Sequence, residues 1–137
     1  MPKRFVDSNV FFYAKILDGS YGKSCATIIR KIASKELQAA TSALVPIEVA
    51  NAMRKYHLEK EVADEVSSIF SLGMEISGIE APDVQEAAEI FADARISPYD
   101  CLHVAVMRRT GLEEIISADK DFDSVAGITR VDPKSLG

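Results

Sequence analysis

The chain has 137 residues, of which 47% are hydrophobic and 27% are charged, and its net charge is -5. This length and balance predict one folded domain spanning residues 1–137; they exclude an intrinsically disordered chain and argue against a protein that coats nucleic acid with a broad basic surface. Two cysteines, Cys25 and Cys101, are too few for a disulfide framework or a zinc site, so we expect both to be reduced core residues.

The first residues form a short apolar run that Asp7 interrupts, and this run does not have the apolar core of a signal peptide. No later stretch approaches the roughly 20 apolar residues needed to cross a bilayer, so we expect a cytoplasmic protein with no membrane partner. Residues 3–7 have the pattern of a short buried strand that ends at Asp7, and residues 10–17 predict a helix directly after it.

The spacing of four apolar residues predicts a second helix soon after the first. They recur at intervals that place their side chains on one helix face, and they are Cys25, Ile28, Ile29 and Ile32. Residues 37–40 then predict a short strand, and we expect Thr41 and Ser42 to cap a helix that runs to about residue 58. Residues 62–70 predict a further amphipathic helix.

The second half of the chain continues the alternation of strands and helices. Residues 74–79 alternate as a strand would, and Pro82 opens a helix. The apolar side chains that we expect this helix to turn to the core are Val84, Ala87, Ala88 and Phe91. Ser97 at the cap and Pro98 at the first position predict the start of another helix, which is apolar on nearly every side and should therefore be buried.

Two more strands are predicted near the end of the chain, one over residues 115–118 that ends at Asp119 and one over residues 128–131. Strands separated by helices pair in parallel through right-handed crossovers, so we predict an α/β fold with a short parallel sheet covered by helices on both faces. Open sheets of this kind place their sites at the carboxyl ends of the strands. Asp7 and Asp119 are therefore expected at the same edge of the sheet.

Four acidic residues are the candidates for the chemistry of the chain, and they are Asp7, Glu48, Asp100 and Asp119. Hard divalent cations such as Mg²⁺ and Mn²⁺ bind oxygen ligands, above all carboxylates. A bound cation activates water as a nucleophile and stabilises the charge that develops on a phosphodiester. If the fold gathers the four acids, we expect them to form one site, in which each acid is both a metal ligand and a catalytic residue.

Each acid taken alone also has an ordinary structural explanation. Asp7 suits a helix cap, and Asp119 suits a loop. Glu48 suits a partly exposed helix surface, and Asp100 suits the first turn of a helix, where the dipole favours an acid. The joint pattern favours a site, because one architecture must explain why an acid follows two strands and lies near the starts of two helices. We expect His103, three residues after Asp100, to be a hydrogen-bonded core residue outside that site.

Four motifs, in this order along the chain, make it resemble the PIN-domain family. They are residues 5–9, residues 41–42 with 46–49, residues 97–100 with 102–105, and residues 116–122. The likeness spans essentially the whole chain and is closest to the VapC toxins of bacterial and archaeal toxin-antitoxin pairs. What it implies is a three-layer α/β/α PIN-like fold and an endoribonuclease, dependent on Mg²⁺ or Mn²⁺, that hydrolyses RNA with a metal-activated water. It also implies a homodimer and, often, a cognate antitoxin that blocks the site.

The resemblance also assigns roles to individual residues. Matched by position, the three best-established acids of the family correspond to Asp7, Glu48 and Asp100. The fourth corresponds to Asp119, with Ser117 at the small hydroxyl position two residues before it, and Asp121 is near enough to share or take over that role. Asn9 either positions Asp7 or a water by hydrogen bonding, or serves as a turn or cap residue. Basic residues near the motifs that could contact phosphates are Lys15, Arg54, Arg95 and Lys120.

Two other functions stay open at this point. A PIN-like module could have kept the fold and serve only to bind RNA or a protein, although degenerate sites usually lose an acid and all four are present. The run Asp7-Ser8-Asn9 after a strand also loosely resembles the haloacid dehalogenase phosphatases, in which an aspartate forms a covalent intermediate. Those enzymes have an acid where Asn9 stands, which makes an aspartyl nucleophile the weaker interpretation.

Overall fold

A five-stranded, wholly parallel sheet lies at the centre of the computed structural model, which describes residues 2–137. The strands are β1 (Arg4–Val6), β2 (Ala39–Ser42), β3 (Glu75–Ser77), β4 (Glu114–Ile116) and β5 (Thr129–Val131). Their order across the sheet is β3-β2-β1-β4-β5, so β1 is the central strand, and Phe5 pairs with Ala40 on one side and with Ile115 on the other. The predicted α/β class and parallel pairing are confirmed.

Six α-helices of the described residues flank the sheet. They are α1 (Ser8–Ile16), α2 (Gly22–Ala33), α3 (Leu44–Lys55), α4 (Val62–Phe70), α5 (Ala81–Asp93) and α6 (Pro98–Thr110). From β1 the chain runs through α1 and α2 to β2 and through α3 and α4 to β3, on one side of β1. It then returns through α5 and α6 to β4, on the other side of β1. Because such connections are right-handed, α1 to α4 lie on one face of the sheet and α5 and α6 lie on the other. The packing agrees, because α1 contacts α2 and α3, α3 contacts α4, and α5 contacts α6. The three-layer prediction is confirmed.

The start of α6 follows the predicted chemistry. Ser97 caps the helix by accepting a hydrogen bond from the amide of Asp100 at 3.1 Å, and Pro98 occupies the first turn, where its missing N–H costs nothing. The helix ends at Gly111, whose φ of 76° is in the left-handed region that favours glycine. Between these ends the helix buries six consecutive or nearly consecutive side chains, which confirms the prediction of a buried helix: Cys101, His103, Val104, Ala105, Val106 and Met107.

The amphipathic face predicted for α2 is confirmed, since Cys25, Ile28 and Ile32 are buried and Ile29 packs partly buried against the core. Both cysteines, Cys25 and Cys101, are free and buried. None of the helices within residues 2–137 combines the length and the apolar character needed to cross a membrane.

The junction between β2 and α3 differs from the prediction. Thr41 and Ser42 do not cap the helix but lie inside β2, and α3 begins at Leu44 without a side-chain cap. The hydroxyl of Thr41 donates to the carbonyl oxygen of Val6 at 2.8 Å, and Ser42 pairs with Ser77 of β3. The side-chain hydrogen bond of Thr41 to β1 and the pairing of both residues with β3 outweigh the local preference of Thr and Ser for a helix cap.

The face that α5 turns to the core also differs from the prediction. Val84 is 54% exposed and Phe91 is 50% exposed, whereas Ala87 is buried as expected. Ala88, the other expected core residue of this helix, is exposed as well. Asp83 lies on the inward side of the helix instead, where it is 2% exposed and forms an ion pair with Arg109 of α6.

Candidate metal centre

Asp7 lies at the junction of β1 and α1, at the carboxyl edge of the sheet. Its amide donates to the carbonyl oxygen of Ile116 in β4 at 3.1 Å, which continues the sheet hydrogen bonding to this residue. Its Oδ1 accepts from the amide of Ser8 at 2.8 Å, so Asp7 also caps α1. The side chain is only 4% exposed. The capping explanation is thus correct but incomplete, because the carboxylate is buried beside other acids.

Two polar side chains hold the second carboxylate oxygen of Asp7. The hydroxyl of Ser117 donates to Oδ2 at 2.6 Å, and Nδ2 of Asn9 donates to the same oxygen at 3.2 Å. Oδ1 of Asn9 accepts from the amide of Ala118 at 3.2 Å, and the Ser117 hydroxyl oxygen accepts from the amide of Asp119 at 3.0 Å. Of the two roles considered for Asn9, the structure therefore shows the hydrogen bond to Asp7. The network also joins β1 to the loop that carries Asp119.

Glu48 and His103 complete a compact group with Asp7. Glu48 extends from the second turn of α3, and its Oε1 lies 2.6 Å from Nε2 of His103 in α6. The same nitrogen lies 3.8 Å from Oδ1 of Asp7. One ligand atom from each of these three residues lies within 4.8 Å of the other two. Two of the four predicted acids are thus brought into direct proximity by β1 and α3.

His103 is the residue that the sequence interpretation placed incorrectly. It is fully buried and hydrogen-bonded, as expected, and its ring packs against Phe5 with centroids 5.3 Å apart. Its partner, however, is the candidate acid Glu48, so it belongs to the centre rather than lying outside it. The available signal was its position three residues after Asp100, on the same side of the helix.

Asp100 and Asp119 border this compact group. Among the described residues, neither shares the set of ligand atoms that all lie within 4.8 Å of one another. Asp100 is partly buried in the first turn of α6, and burial together with the charges of Asp7, Asp119 and Glu48 raises its pKa to about 7, against the opposing effect of His103. Asp7, Asp119 and Glu48 are thus the neighbouring charges that oppose ionisation of Asp100.

Asp119 follows β4, where it precedes a short 3-10 helix (Lys120–Ser124), and its Oδ1 accepts from the amide of Asp121 at 2.9 Å. Asp119 is partly buried, whereas the side chain of Asp121 is exposed. The choice between these two residues as a fourth acid stays a prediction.

The buried groups of the centre titrate away from their ordinary ranges. Burial raises the pKa of Asp7, although the charge of His103 and the hydrogen bond from Ser117 oppose the shift. Burial by itself lowers the pKa of His103, but the hydrogen bond to Glu48 and the charges of Asp7, Glu48 and Asp100 together raise it. Among the described residues, His103 is thus the group that forms the ion pairs of both Asp7 and Glu48.

The donor chemistry of the centre fits a hard divalent cation. Carboxylate oxygens are the ligands that Mg²⁺ and Mn²⁺ prefer, and the hydrogen bonds from Ser8, Asn9 and Ser117 orient Asp7 as the outer contacts of a metal ligand do. A cation would also favour the charged form of Asp100, whose pKa is raised by burial and by the neighbouring acids. Because Nε2 of His103 is turned to Glu48, the histidine acts here as a partner of a carboxylate.

The basic residues considered for phosphate contacts are not equivalent. Lys15 pairs with Glu61 at 2.7 Å, and Arg54 donates to Oδ1 of Asn51 at 3.0 Å. Arg95 and Lys120 are exposed. Contact of any of the four with RNA stays a prediction.

Comparison with known proteins adds a family to this geometry. The family model described as PIN domain matches residues 4–128. A VapC ribonuclease of Mycobacterium bovis and ribonuclease VapC13 of Mycobacterium tuberculosis are each 25% identical to the chain over 127 residues, which is 92% of this chain and 97% of theirs.

Solved structures share the fold. VapC20 of Mycobacterium tuberculosis, a toxin that cleaves the Sarcin-Ricin loop, superposes with a TM-score of 0.75 at 19% identity, covering 89% of this chain and 94% of that one. VapBC2 of Rickettsia felis, bound to a DNA fragment from its promoter, has a TM-score of 0.70 at 16% identity, covering 94% of this chain and 97% of that one. At these identities the likeness shows the fold alone.

Proposed function

The chain belongs to the PIN domain family, and from that premise we propose that it is an endoribonuclease that depends on a divalent cation. The observation that carries the proposal is the convergence of Asp7 and Glu48 at the carboxyl edge of the sheet, with Asp100 and Asp119 beside them. The two curated relatives are named as ribonucleases and match nearly the whole chain, which supports RNA as the substrate.

The cation, Mg²⁺ or Mn²⁺, would be held by the carboxylates of Asp7, Glu48, Asp100 and Asp119. When bound, it supplies the positive charge that lowers the pKa of a water molecule and stabilises the developing charge on a phosphodiester.

The chain's own contacts prepare these carboxylates. Ser117 and Asn9 fix Oδ2 of Asp7, and His103 fixes Oε1 of Glu48, so neither acid has to reorganise when the charge on the substrate develops. Burial of Asp7 and His103 excludes water from one side of the centre, which strengthens the electrostatic interactions there.

We also propose that the protein is the toxin of a toxin-antitoxin pair. The support is that the curated relatives are VapC proteins and that solved structures of the same fold include a toxin-antitoxin complex from Klebsiella pneumoniae and DNA-bound VapBC from Salmonella typhimurium. The partner expected is a cognate antitoxin. A homodimer stays a prediction of the family resemblance.

The decisive experiment compares Mn²⁺-dependent cleavage of a defined RNA by the wild-type protein, Asp7→Asn and Asp100→Asn. We expect both substitutions to abolish cleavage, with losses of at least about a hundredfold, because each removes a negative charge from the centre and leaves the packing of the core unchanged. The matched control is Asp93→Asn, an exposed acid at the end of α5, which should cleave as the wild type does. Circular dichroism checks that the variants are folded. Wild-type activity in either site variant would overturn the assignment.

The aspartyl-nucleophile alternative has no contact in its favour. Asn9 stands where those phosphatases have an acid, and its amide donates to Asp7 instead of offering a second carboxylate. The non-catalytic alternative is separated by the same cleavage experiment, since a module that only binds would show no Mn²⁺-dependent cleavage at all.

A further inference from the structure

A cleft of about 560 Å³ opens beside the candidate metal centre, along one face of α3. Ser8 and Glu48 are among its lining residues, so the cleft borders the candidate metal centre. Tyr99 lines it from the first turn of α6, directly before Asp100, and Tyr56 lines it from the end of α3. The volume is in the range of sites for small molecules and groups, about 300 to 1,000 Å³.

Three large apolar or partly apolar side chains that line the cleft are exposed to solvent. Tyr99 is 62% exposed, Ile47 is 63% exposed and Tyr56 is 57% exposed, and all three line this one cleft. Tyr56 is held in place by Phe12, whose ring lies 5.0 Å away at an interplanar angle of 69°. Clustered exposed apolar groups beside polar ones mark binding surfaces more often than scattered ones do. The cleft therefore has the composition of a binding site for a flat, partly apolar group.

The face of α3 that borders the cleft also carries a positive charge. Glu48, Asn51 and Lys55 all line it, at helix positions three, four and seven residues apart, which places them on one side of the helix. Seven residues correspond to two turns, so Lys55 lies about 10 Å along the axis from Glu48. A chain that leaves the acids along this face thus passes a cleft that two tyrosines and a lysine line.

We propose that this cleft binds an unpaired nucleotide of the RNA substrate next to the phosphodiester that is cut, with its base stacked on Tyr99 and Tyr56 and a backbone phosphate near Lys55. The proposal rests on the proposed ribonuclease function. Stacking on aromatic rings and neutralisation of phosphates by lysine are the two interactions by which proteins bind single strands without reading a fixed sequence. A base in a duplex has its faces covered by its neighbours, so the cleft selects unpaired RNA.

RNA is favoured over a protein occupant because Ser8 and Glu48 line the cleft, which places it next to the site where cleavage is proposed. A bound base there is held by the same helices that carry the acids, α3 and α6. Stacking would therefore position the scissile phosphodiester as well as add affinity.

The test measures binding of a fluorophore-labelled single-stranded RNA of about twelve nucleotides, and of the same RNA annealed to its complement, by fluorescence anisotropy. Both are measured with full-length protein in an Asp100→Asn background that does not cut the probe. We expect Tyr99→Ala to weaken single-strand binding about tenfold and Tyr99→Phe to change it less than about twofold, because the phenylalanine keeps the ring. Duplex binding should not change. The matched control is Phe91→Ala, a similarly exposed aromatic of α5 that does not line the cleft.

A second pair of variants tests the phosphate contact. Lys55→Gln should weaken single-strand binding and reduce its dependence on salt concentration, whereas Lys60→Gln, an exposed lysine outside the cleft, should do neither. If Tyr99→Ala binds the single strand as tightly as Phe91→Ala does, or loses duplex binding equally, the proposal is wrong. The same holds if Tyr99→Ala weakens only the binding of a protein partner and leaves RNA binding unchanged.

Cleavage by the otherwise wild-type protein separates this proposal from the function on which it rests. Once the cut position is mapped, an abasic sugar beside it should slow the wild type about as much as Tyr99→Ala does, and should slow Tyr99→Ala little further. If the wild type cuts RNA and loss of the base has no effect at any neighbouring position, the subsite is wrong and the ribonuclease stands. If the wild type cuts no RNA with Mn²⁺, the ribonuclease is wrong, and the anisotropy series alone decides whether the cleft binds single strands.

Discussion

Two aspartates of this structure are exposed to almost the same small extent, but they have different charged neighbours. Asp83 is 2% exposed and Asp7 is 4% exposed. Asp83 receives two hydrogen bonds from the guanidinium of Arg109, at 2.9 and 3.0 Å, and this contact lowers the pKa of its carboxyl group. Asp7 has no arginine or lysine partner among the described residues, and its pKa is raised.

The charged neighbours of a buried acid distinguish a structural role from a functional one. A buried carboxylate that the protein itself neutralises with a cation, as Arg109 does for Asp83, has its charge balanced on folding. Asp7 instead shares one buried histidine, His103, with Glu48, so its region keeps negative charge that a cation from outside the chain can neutralise. Each prediction below turns on this contrast.

The largest expected effect is on the stability of the metal-free protein. Asp83→Asn should lower the free energy of unfolding, because it weakens the two hydrogen bonds from Arg109 and the one from the amide of Glu80 that hold the buried Asp83 carboxylate. Asp7→Asn should lower it less, because the amide loses the hydrogen bond from Asn9 but the raised pKa of Asp7 means that the fold already favours an uncharged side chain there. Urea unfolding near pH 8 measures both. Equal destabilisation by the two substitutions would remove the contrast.

Next in size is stabilisation by metal. Mn²⁺ at about a hundred times its dissociation constant should stabilise the wild type by about 2.7 kcal/mol, and Asp83→Asn by the same amount. Asp7→Asn should gain far less at the same concentration. Thermal unfolding with and without Mn²⁺, each with a chelator control, measures the difference. A gain that survives in Asp7→Asn would place the cation elsewhere.

The free energy of unfolding of the metal-free protein should also depend on pH in opposite directions through Asp100 and through Asp83. The pKa of Asp100 is raised from 3.8 to about 7, so its contribution to stability is present below the unfolded pKa and is lost as the pH rises toward 7. Between about pH 5 and pH 7 the wild type should lose about 2 kcal/mol of unfolding free energy through Asp100, and Asp100→Asn should not show this loss. Asp83 has a lowered pKa, so its contribution is present above pH 3.8 and is lost as the pH falls further. Unfolding curves at several pH values test both signs.

The smallest effect expected is that of the histidine in the centre. His103→Asn should reduce cleavage at least about tenfold by freeing Glu48, since outer contacts of metal ligands are worth that much in affinity or activity. The matched control is His57→Asn, at an exposed residue whose φ of 59° asparagine tolerates. The two variants are compared in cleavage rate and in Mn²⁺ titration. If His103→Asn behaves as His57→Asn does, the histidine has only a packing role.

Much of the fold was predictable because it depends on short-range patterns. The apolar spacing around Cys25 predicted the buried face of α2, and Ser97 with Pro98 predicted where α6 begins, since caps and helix periodicity are local properties. The alternation of strands and helices was enough for a parallel sheet. That sheet in turn predicted that Asp7 and Asp119 follow strands at one edge.

Other features were decided only by tertiary structure, because they depend on contacts with residues that are distant in the sequence. Thr41 lies in a strand because Val6 and the neighbouring strand β3 offer it bonds, and α5 turns Phe91 outward while Asp83 lies inward in an ion pair with Arg109. His103 belongs to the centre because α3 brings Glu48 to it across 55 positions of sequence. Periodicity shows that a helix has a buried face, but the rotation of that helix and the partner of each buried polar group are settled only when the elements pack.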